Sequence, residues 1–195
     1  YIGDPNFGFN GEMLAVAVDG ANNAYVAGFN ALVTFPTTAG AFRPAPPAGS
    51  GPDAFVMKFN PAGSGLVYST FLGGGNLNFA DAFGLQSSLA QSIALDSSNN
   101  VVVTGHTTAT NFPVTPGAVQ SQYSGFRGAF VTKLNTNGTG VVFPTYLGGT
   151  GRDGEPANVA VDVSNNIYVA TNTQSNNFPT TATSFLPFVR DFAVS

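Results

Sequence analysis

The chain has 195 residues, of which 8% are charged, 43% are hydrophobic and 12% are aromatic, and its net charge is −4. This composition is too rich in aromatic residues for a disordered chain, and six scattered lysine and arginine residues are too few to neutralise nucleic-acid phosphates. No stretch approaches the roughly 18 consecutive apolar residues of a membrane helix, so we expect no membrane insertion. The absence of cysteine excludes disulfides, thiol catalysis and cysteine-ligated zinc.

The first predicted element is a hairpin in the sequence AVDGANNAYVAG at 17–28. Its centre, Asp-x-x-Asn-Asn, suits a tight turn, because Asp and Asn side chains bond nearby backbone and Asn tolerates a positive φ. A longer link with a Phe-Pro pair at 35–36 leads to a second predicted hairpin, DAFVMKFNPAGSGLVYSTFLGG at 53–74, whose turn is NPAGSG. Each unit has four short runs with strand signals, so it is predicted to contain four strands. No segment has the 3.6-residue apolar period of a helix.

The same elements then recur along the chain. The turn aspartates Asp19, Asp96 and Asp162 are 77 and 66 residues apart, and the three Phe-Pro pairs have the same intervals. The second hairpin returns as GAFVTKLNTNGTGVVFPTYLGG at 128–149, and DFAVS at 191–195 matches the start of a third copy. Two motifs with equal spacing indicate one repeated unit. We predict a single repeat region over 1–195 with approximate units 1–74, 75–149 and 150–195, the third of which lacks its outer strand.

A four-stranded antiparallel unit can bury both of its faces only by stacking on neighbouring units, as propeller blades do. The predicted fold class is therefore all-β, with tandem four-stranded antiparallel propeller-like blades, about three of them visible and the last incomplete. Propellers close with about four to eight blades. Three ways to complete the array stay open: further repeats of a longer chain, a strand from elsewhere in the polypeptide, or a strand from a neighbouring molecule.

Three stretches carry a family resemblance: DAFVMKFNPAGSGLVYSTFLGG, IALDSSNNVVVTGHTTATNFPVTPGA and YLGGTGRDGEPANVAVD, at 53–74, 93–118 and 146–162. This series resembles the bacterial β-propeller repeat called SBBP, which occurs in tandem in large exported or surface proteins. The resemblance extends over essentially the whole chain. It implies a propeller-type fold and an extracellular or cell-surface location. It implies no catalytic residues, because the family has no general activity to transfer.

Acidic residues are the first candidates for a metal site. Carboxylate and amide oxygens are suitable calcium ligands, so the repeated Asp19, Asp96 and Asp162 could bind calcium, or they could accept hydrogen bonds within their turns. The turn role is favoured, because each loop offers one carboxylate and the spacing is not that of a known calcium loop. Asp153 and Glu155 form the densest charge in the chain and could bind a cation or act as acid and base, but a solvated loop is the preferred interpretation. We predict no catalytic residue, no cofactor and no resident metal.

His106 is the one histidine and lies just after the second strand of the second unit. Without repeated partners it is predicted to be a surface substitution rather than a general base or metal ligand. The recurring aromatic residues could stack on sugars, but their equivalent places in the units favour core positions between blades. They are Phe35, Phe112, Phe178, Tyr25, Phe55, Tyr68, Phe71, Phe130, Tyr146 and Tyr168.

These features lead to a ranked set of functions. The first hypothesis is a non-catalytic extracellular structural or adhesive scaffold, self-assembling into a filament through strand complementation. The second is a carbohydrate-binding module of a larger surface protein, using loops at one end of the blades. An enzyme is the least favoured. The partners expected are copies of the same chain or further repeats, or a glycan, and neither nucleic acid nor a membrane interior.

Overall fold

The computed structural model describes residues 11–30, 35–47, 52–74, 88–123, 125–181 and 183–184. These residues contain ten strands and no helix, so none that could cross a membrane, and they confirm the predicted all-β class. The strands in chain order are β1 Gly11–Val18, β2 Ala24–Asn30, β3 Asp53–Phe59, β4 Leu66–Phe71, β5 Ser88–Leu95, β6 Val101–Thr107, β7 Gly128–Leu134, β8 Val141–Leu147, β9 Asp153–Val161 and β10 Ile167–Thr173.

The strands form three antiparallel sheets. The first sheet has the order β1-β2-β3-β4, the second β5-β6-β7-β8, and the third contains β9 and β10. Within each sheet every strand pairs with the next one in sequence, which is the arrangement of propeller blades, and the described sheets do not close into a ring. The predicted strand at 191–195 lies outside the described residues. The unit boundaries at 74 and 149 stay predictions.

The Asp-x-x-Asn-Asn motif forms the same turn in every sheet. Asn22, Asn99 and Asn165 have φ values of 64°, 60° and 66°, a left-handed conformation that asparagine adopts more readily than most residues. In the next hairpin of the first two sheets, Gly63 and Gly138 have φ values of 66° and 70°. The recurrence of these residues is therefore explained by backbone conformation, because a β-branched side chain would be strained at each place.

The core lies between the sheets. Strand β5 packs against β1, β2 and β3 to form the first junction, and β9 packs against β5, β6 and β7 to form the second junction. One continuous apolar cluster joins residues of the first sheet to residues of the second, with members including Tyr25, Val56, Tyr68, Leu72, Ile93, Val103, Phe130 and Leu134. Stacking thus buries a face that a single four-stranded sheet would leave in water.

The Phe-Pro phenylalanines cover the third and fourth strands of their sheets. The Phe35 ring centroid lies 4.6 Å from that of Phe55 and 5.2 Å from that of Phe71. Phe112 repeats the arrangement in the second sheet, 4.6 Å from Phe130 and 5.9 Å from Tyr146. Its backbone amide also donates to the Tyr146 hydroxyl. The long link between strands two and three is thereby fixed to the sheet by aromatic packing.

Candidate functional site

The first turn aspartate is held by its own turn. The Asp19 carboxylate accepts hydrogen bonds from the backbone amides of Ala21 and Asn23, both at 2.9 Å, from the Asn23 side chain and from the Tyr25 hydroxyl at 3.0 Å. The Lys58 ammonium, from β3, lies 3.4 Å away. Burial acts to raise the pKa of Asp19, but the hydrogen bonds outweigh it and hold that pKa well below its usual value. The carboxylate is therefore engaged as an anion inside the sheet.

Asp96 and Asp162 repeat this arrangement with one difference. Asp96 accepts from the amides of Ser98 and Asn100 and pairs with the Lys133 ammonium at 2.7 Å. Against the effect of burial, these contacts lower the pKa of Asp96 to about 2. Asp162 accepts the equivalent turn bonds and the Tyr168 hydroxyl at 3.0 Å, and hydrogen bonds led by Asn166 lower its pKa. No ion pair reaches Asp162 from the described residues.

Asp153 and Glu155 do not act together. Asp153 is 1% exposed and accepts bonds from the Thr173 hydroxyl at 2.6 Å, the Ser175 hydroxyl at 2.7 Å and the Gly149 amide at 2.7 Å. Glu155 is exposed and forms an ion pair with Arg127. The expectation of a solvated loop is wrong for Asp153, because the residue begins β9 inside the second junction. In the part of the chain that the structure describes, no three His, Cys, Asp or Glu side chains are placed to hold a metal ion.

Asp53 is a buried acid that the sequence analysis did not single out. It begins β3 in the first junction and is 0% exposed, and neither carboxylate oxygen has a hydrogen bond of normal geometry. Burial raises its pKa to about 7, against smaller lowering effects of the Arg43 charge and the backbone amides of Ala54 and Gly73. The signal available in the sequence was a carboxylate at the head of a largely apolar strand, where the second repeat has glycine.

The buried acids explain why the Gly-Gly pairs are glycine. A side chain at Gly73 would overlap the Asp53 carboxylate, and one at Gly148 would press on the Asp153 carboxylate. The second glycine of each pair faces an asparagine of the next sheet, so a side chain there would also collide. Leu-Gly-Gly therefore recurs because the chain passes close to polar groups at each junction.

His106 is 1% exposed, so the prediction of a surface position is wrong. Its strand, β6, is buried at every residue, because the first sheet covers one face and β9 packs on the other. The residues at the equivalent positions of the other repeats, Phe29 and Asn172, carry no sign that the middle sheet is covered on both sides.

Eight of the ten aromatic residues are buried, each at most 7% exposed. A core position between sheets is confirmed for five of them, which belong to the cluster that joins the first two sheets: Tyr25, Tyr68, Phe112, Phe130 and Tyr146. Phe35, Phe55 and Phe71 are buried in a separate cluster within the first repeat. Tyr168 departs from the prediction and is 57% exposed. Phe178 is half-buried. Both exceptions belong to the third repeat, where no further sheet is described.

Two sheet faces are left uncovered at opposite ends of the described stack. Val16 and Val18 of β1 are 67% and 60% exposed, whereas Ile93, the counterpart of Val16 in the second sheet, is 9% exposed. At the other end Tyr168 is exposed, whereas its counterpart Tyr25 is fully buried in the first junction. Each end therefore presents one half of a sheet-to-sheet junction.

A cleft of about 620 Å³ lies between the second and third sheets. One wall is formed by β7 and β8 with Val131, Phe143 and Leu147, and the other by the start of β10 with Ile167 and Val169. Lys133 and the amides of Asn165 and Asn166 supply polar groups at its rim.

Comparison with known proteins agrees with this architecture. A search of curated proteins gives no match to the chain. The sequence model of one family, described as a beta-propeller repeat (SBBP), matches residues 142–179, which run from β8 through β9 and β10 to the third Phe-Pro pair. The chain thus contains a repeat of the SBBP β-propeller family.

Proposed function

We propose that this protein is a non-catalytic extracellular structural or adhesive scaffold, whose repeats join further repeats or other copies of the chain into a filament. The observation that carries the proposal is the pair of uncovered faces at the two ends of the stack. Val16 and Tyr168 are exposed, whereas their counterparts Ile93 and Tyr25 lie inside a packed junction. Packing of another sheet of the same kind on such an exposed apolar face is favourable, because burial removes apolar area from water.

The mode of assembly is proposed to be head to tail. The two end faces differ from each other, so contact between them is heterologous, and a heterologous contact that does not close extends into a fibre. Completion of the third sheet by a strand from a neighbour would add backbone hydrogen bonds to such a contact. The low charge of the chain, 8% of residues, supports close packing of copies because little desolvation of charge is required.

Absence of catalysis is part of the proposal. Of the acidic side chains of the described residues, five are bound by turn amides, by lysine or arginine, or by hydroxyls: Asp19, Asp96, Asp153, Glu155 and Asp162. Asp53 is enclosed in a junction, and Glu12 is exposed on β1. None of these arrangements presents a free acid and base to a shared cavity, which general acid–base chemistry requires.

A carbohydrate-binding module is the second candidate. The cleft between the second and third sheets is lined by Phe143, Asn165 and Asn166, and sugar sites use an aromatic face with amide groups. A glycan array with the whole protein tests it. Saturable binding that is lost in Phe143→Ala would favour this candidate over the scaffold.

Negative-stain electron microscopy of the native protein tests the scaffold. Regular filaments that disappear in Val16→Glu, with its charge on the uncovered β1 face, are the expected result. Val163→Glu is the matched control, because Val163 is 96% exposed in a turn and should leave assembly unchanged. A native protein that stays a discrete monomer at all concentrations would contradict the proposal. Fractionation of the source cells, with the protein in the surface or secreted fraction, tests the location.

A further inference from the structure

The outer strands of the first two sheets each have an edge that could accept another strand. β4 and β8 are the last members of their sheets, and no strand of the described residues pairs with their outer edges. Such an edge offers backbone N–H and C=O groups to any extended chain that approaches it. In both sheets, however, the long link between the second and third strands lies along this edge and bonds to it. The link therefore occupies the place where a fifth strand would pair.

In the first sheet a strap of residues 37–44 covers the β4 edge. The Thr38 amide donates to the Ser69 carbonyl at 3.2 Å, and the Ser69 amide donates to the Thr38 hydroxyl at 3.0 Å. Two residues later the Phe71 amide donates to the Arg43 carbonyl at 3.0 Å. The outward-pointing amides of Ser69 and Phe71 are thus both satisfied, one of them by a side chain.

Further bonds hold the strap in place. The Thr37 hydroxyl donates to the Pro44 carbonyl at 2.8 Å and joins the two ends of the strap. Between these ends the Phe42 amide donates to the Gly138 carbonyl of the second sheet at 2.9 Å. Ser69, under the strap, is 0% exposed. The strap therefore keeps both water and other chains away from the centre of the β4 edge.

The second sheet closes the same place without a side-chain cap. The Tyr146 amide donates to the Gln120 carbonyl at 3.1 Å, which repeats the contact of Phe71 in the first sheet. Pro144 stands where β4 has Ser69, because both lie opposite the equivalent residue of the third strand. Proline has no amide hydrogen, and on an edge strand it prevents further pairing. One sheet thus caps the donor and the other lacks it, so both outer edges are closed to a further strand.

We propose that the strap is an autoinhibitory contact that withholds the β4 edge from strand pairing, and that this edge, once freed, pairs antiparallel with β4 of a second copy of the chain. A second copy is the occupant because β4, Leu66–Phe71, contains no charged residue, so two identical edges meet without like-charge repulsion. Such a contact is isologous and closes as a dimer. This inference does not depend on the proposed scaffold, whose contacts lie on sheet faces.

Sedimentation velocity of the whole chain tests the cap. All variants carry Val16→Glu, so that contact through the β1 face does not contribute, and the protein with that change alone sets the baseline. Thr38→Val removes the hydroxyl with little change of shape. It should raise the population of freed edges about tenfold, because the buried Ser69 amide loses its acceptor. Dimers that increase with protein concentration are the expected result.

Thr115→Val is the matched control, because Thr115 is the equivalent threonine of the second link and Pro144 leaves no amide to expose. Ser69→Pro added to Thr38→Val should return the protein to the monomer, since it removes the uncapped donor. Pro144→Ala combined with Thr115→Val should create the same free donor on β8 and form dimers. That variant supplies the test should Thr38→Val fail to fold.

Three results would overturn the proposal. The first is a folded Thr38→Val protein that stays monomeric. The others are dimers that persist after Ser69→Pro and dimers that form equally in Thr115→Val, because neither would depend on the outward amide of β4. Filaments or monomers of the unchanged protein test the scaffold alone, so failure of the scaffold would leave this inference standing.

Discussion

The two junctions between sheets share a buried carboxylate, but a different strand supplies it in each junction. Each buries one carboxylate against a Gly-Gly pair, Asp53 in the first junction and Asp153 in the second. Asp53 belongs to the sheet that ends in its Gly-Gly pair, whereas Asp153 belongs to the following sheet. In the second repeat the place of Asp53 is taken by Gly128. The position of the acid in space is thus kept while the strand that supplies it changes.

The partners of the two acids explain the difference between them. Asp153 receives bonds from Thr173 and Ser175. In the first junction Thr107 bonds instead to Ser88, and alanine at 109 stands where the third repeat has Ser175. A buried carboxylate with several donors stabilises a junction, whereas one without donors carries a desolvation cost. The comparison therefore predicts opposite effects of removing the two charges.

The largest effect is expected for Asp153→Ala. The substitution leaves the Thr173 and Ser175 hydroxyls and the Gly149 amide without their acceptor, and each buried donor left unsatisfied costs about 1–3 kcal/mol. The measurement is the free energy of unfolding in urea. Glu155→Gln is the control, because Glu155 is exposed and its ion pair should be worth less than about 1 kcal/mol. Equal losses in the two variants would show that the Asp153 network does not stabilise the junction.

Removing the Asp53 charge is expected to stabilise the protein, in contrast to the loss expected at Asp153, and the effect should depend on pH. Its folded-state pKa is raised from 3.8 to about 7, so the folded state retains a proton that the unfolded chain releases. The contribution to stability is complete below pH 3.8 and is lost as pH rises through 7. Asp53→Asn should therefore be more stable than the wild type at pH 8, by a few kcal/mol, and the gain should shrink toward pH 4.

Unfolding midpoints of both proteins across this range give the test. The two pH profiles should converge in acid, because both side chains are then neutral. Parallel profiles at all pH values would mean that Asp53 is ionised in the fold at an ordinary pKa.

The smallest effects are expected at the lysines of the turn aspartates. Lys133 lies closer to its partner than Lys58 does, 2.7 Å against 3.4 Å, so Lys133→Met should cost about 1–2 kcal/mol and Lys58→Met less. Because the pKa of Asp96 is lowered to about 2, its contribution is present above pH 4 and is lost as pH falls through 2. The difference between the two variants should therefore disappear in acid. A larger loss for Lys58→Met would show that the distance does not rank the pairs.

The repeat could be predicted because its marks are local. The Asn residues with positive φ, the Asp acceptors and the turn glycines are required by the backbone of each hairpin, whatever lies next to it. The aromatic core also followed from recurrence, since equivalent places in stacked units have equivalent neighbours. Tyr168, in the last described sheet, departs from that rule and is exposed, and the described residues include no further sheet that packs against it.

The buried polar residues depended on contacts between sheets. Asp53, Asp153 and His106 are each at most 1% exposed, yet an acid is ordinarily a surface residue and a histidine is often one. The only nearby sign of burial in the sequence was the largely apolar strand that Asp53 begins. The sequence by itself determined the hairpins, their order and the recurrence of one unit, because those rest on turn chemistry and strand periodicity. Only the tertiary structure decided which acids lie inside a junction, which donors reach them and which faces remain uncovered, because burial depends on the sheet that packs alongside.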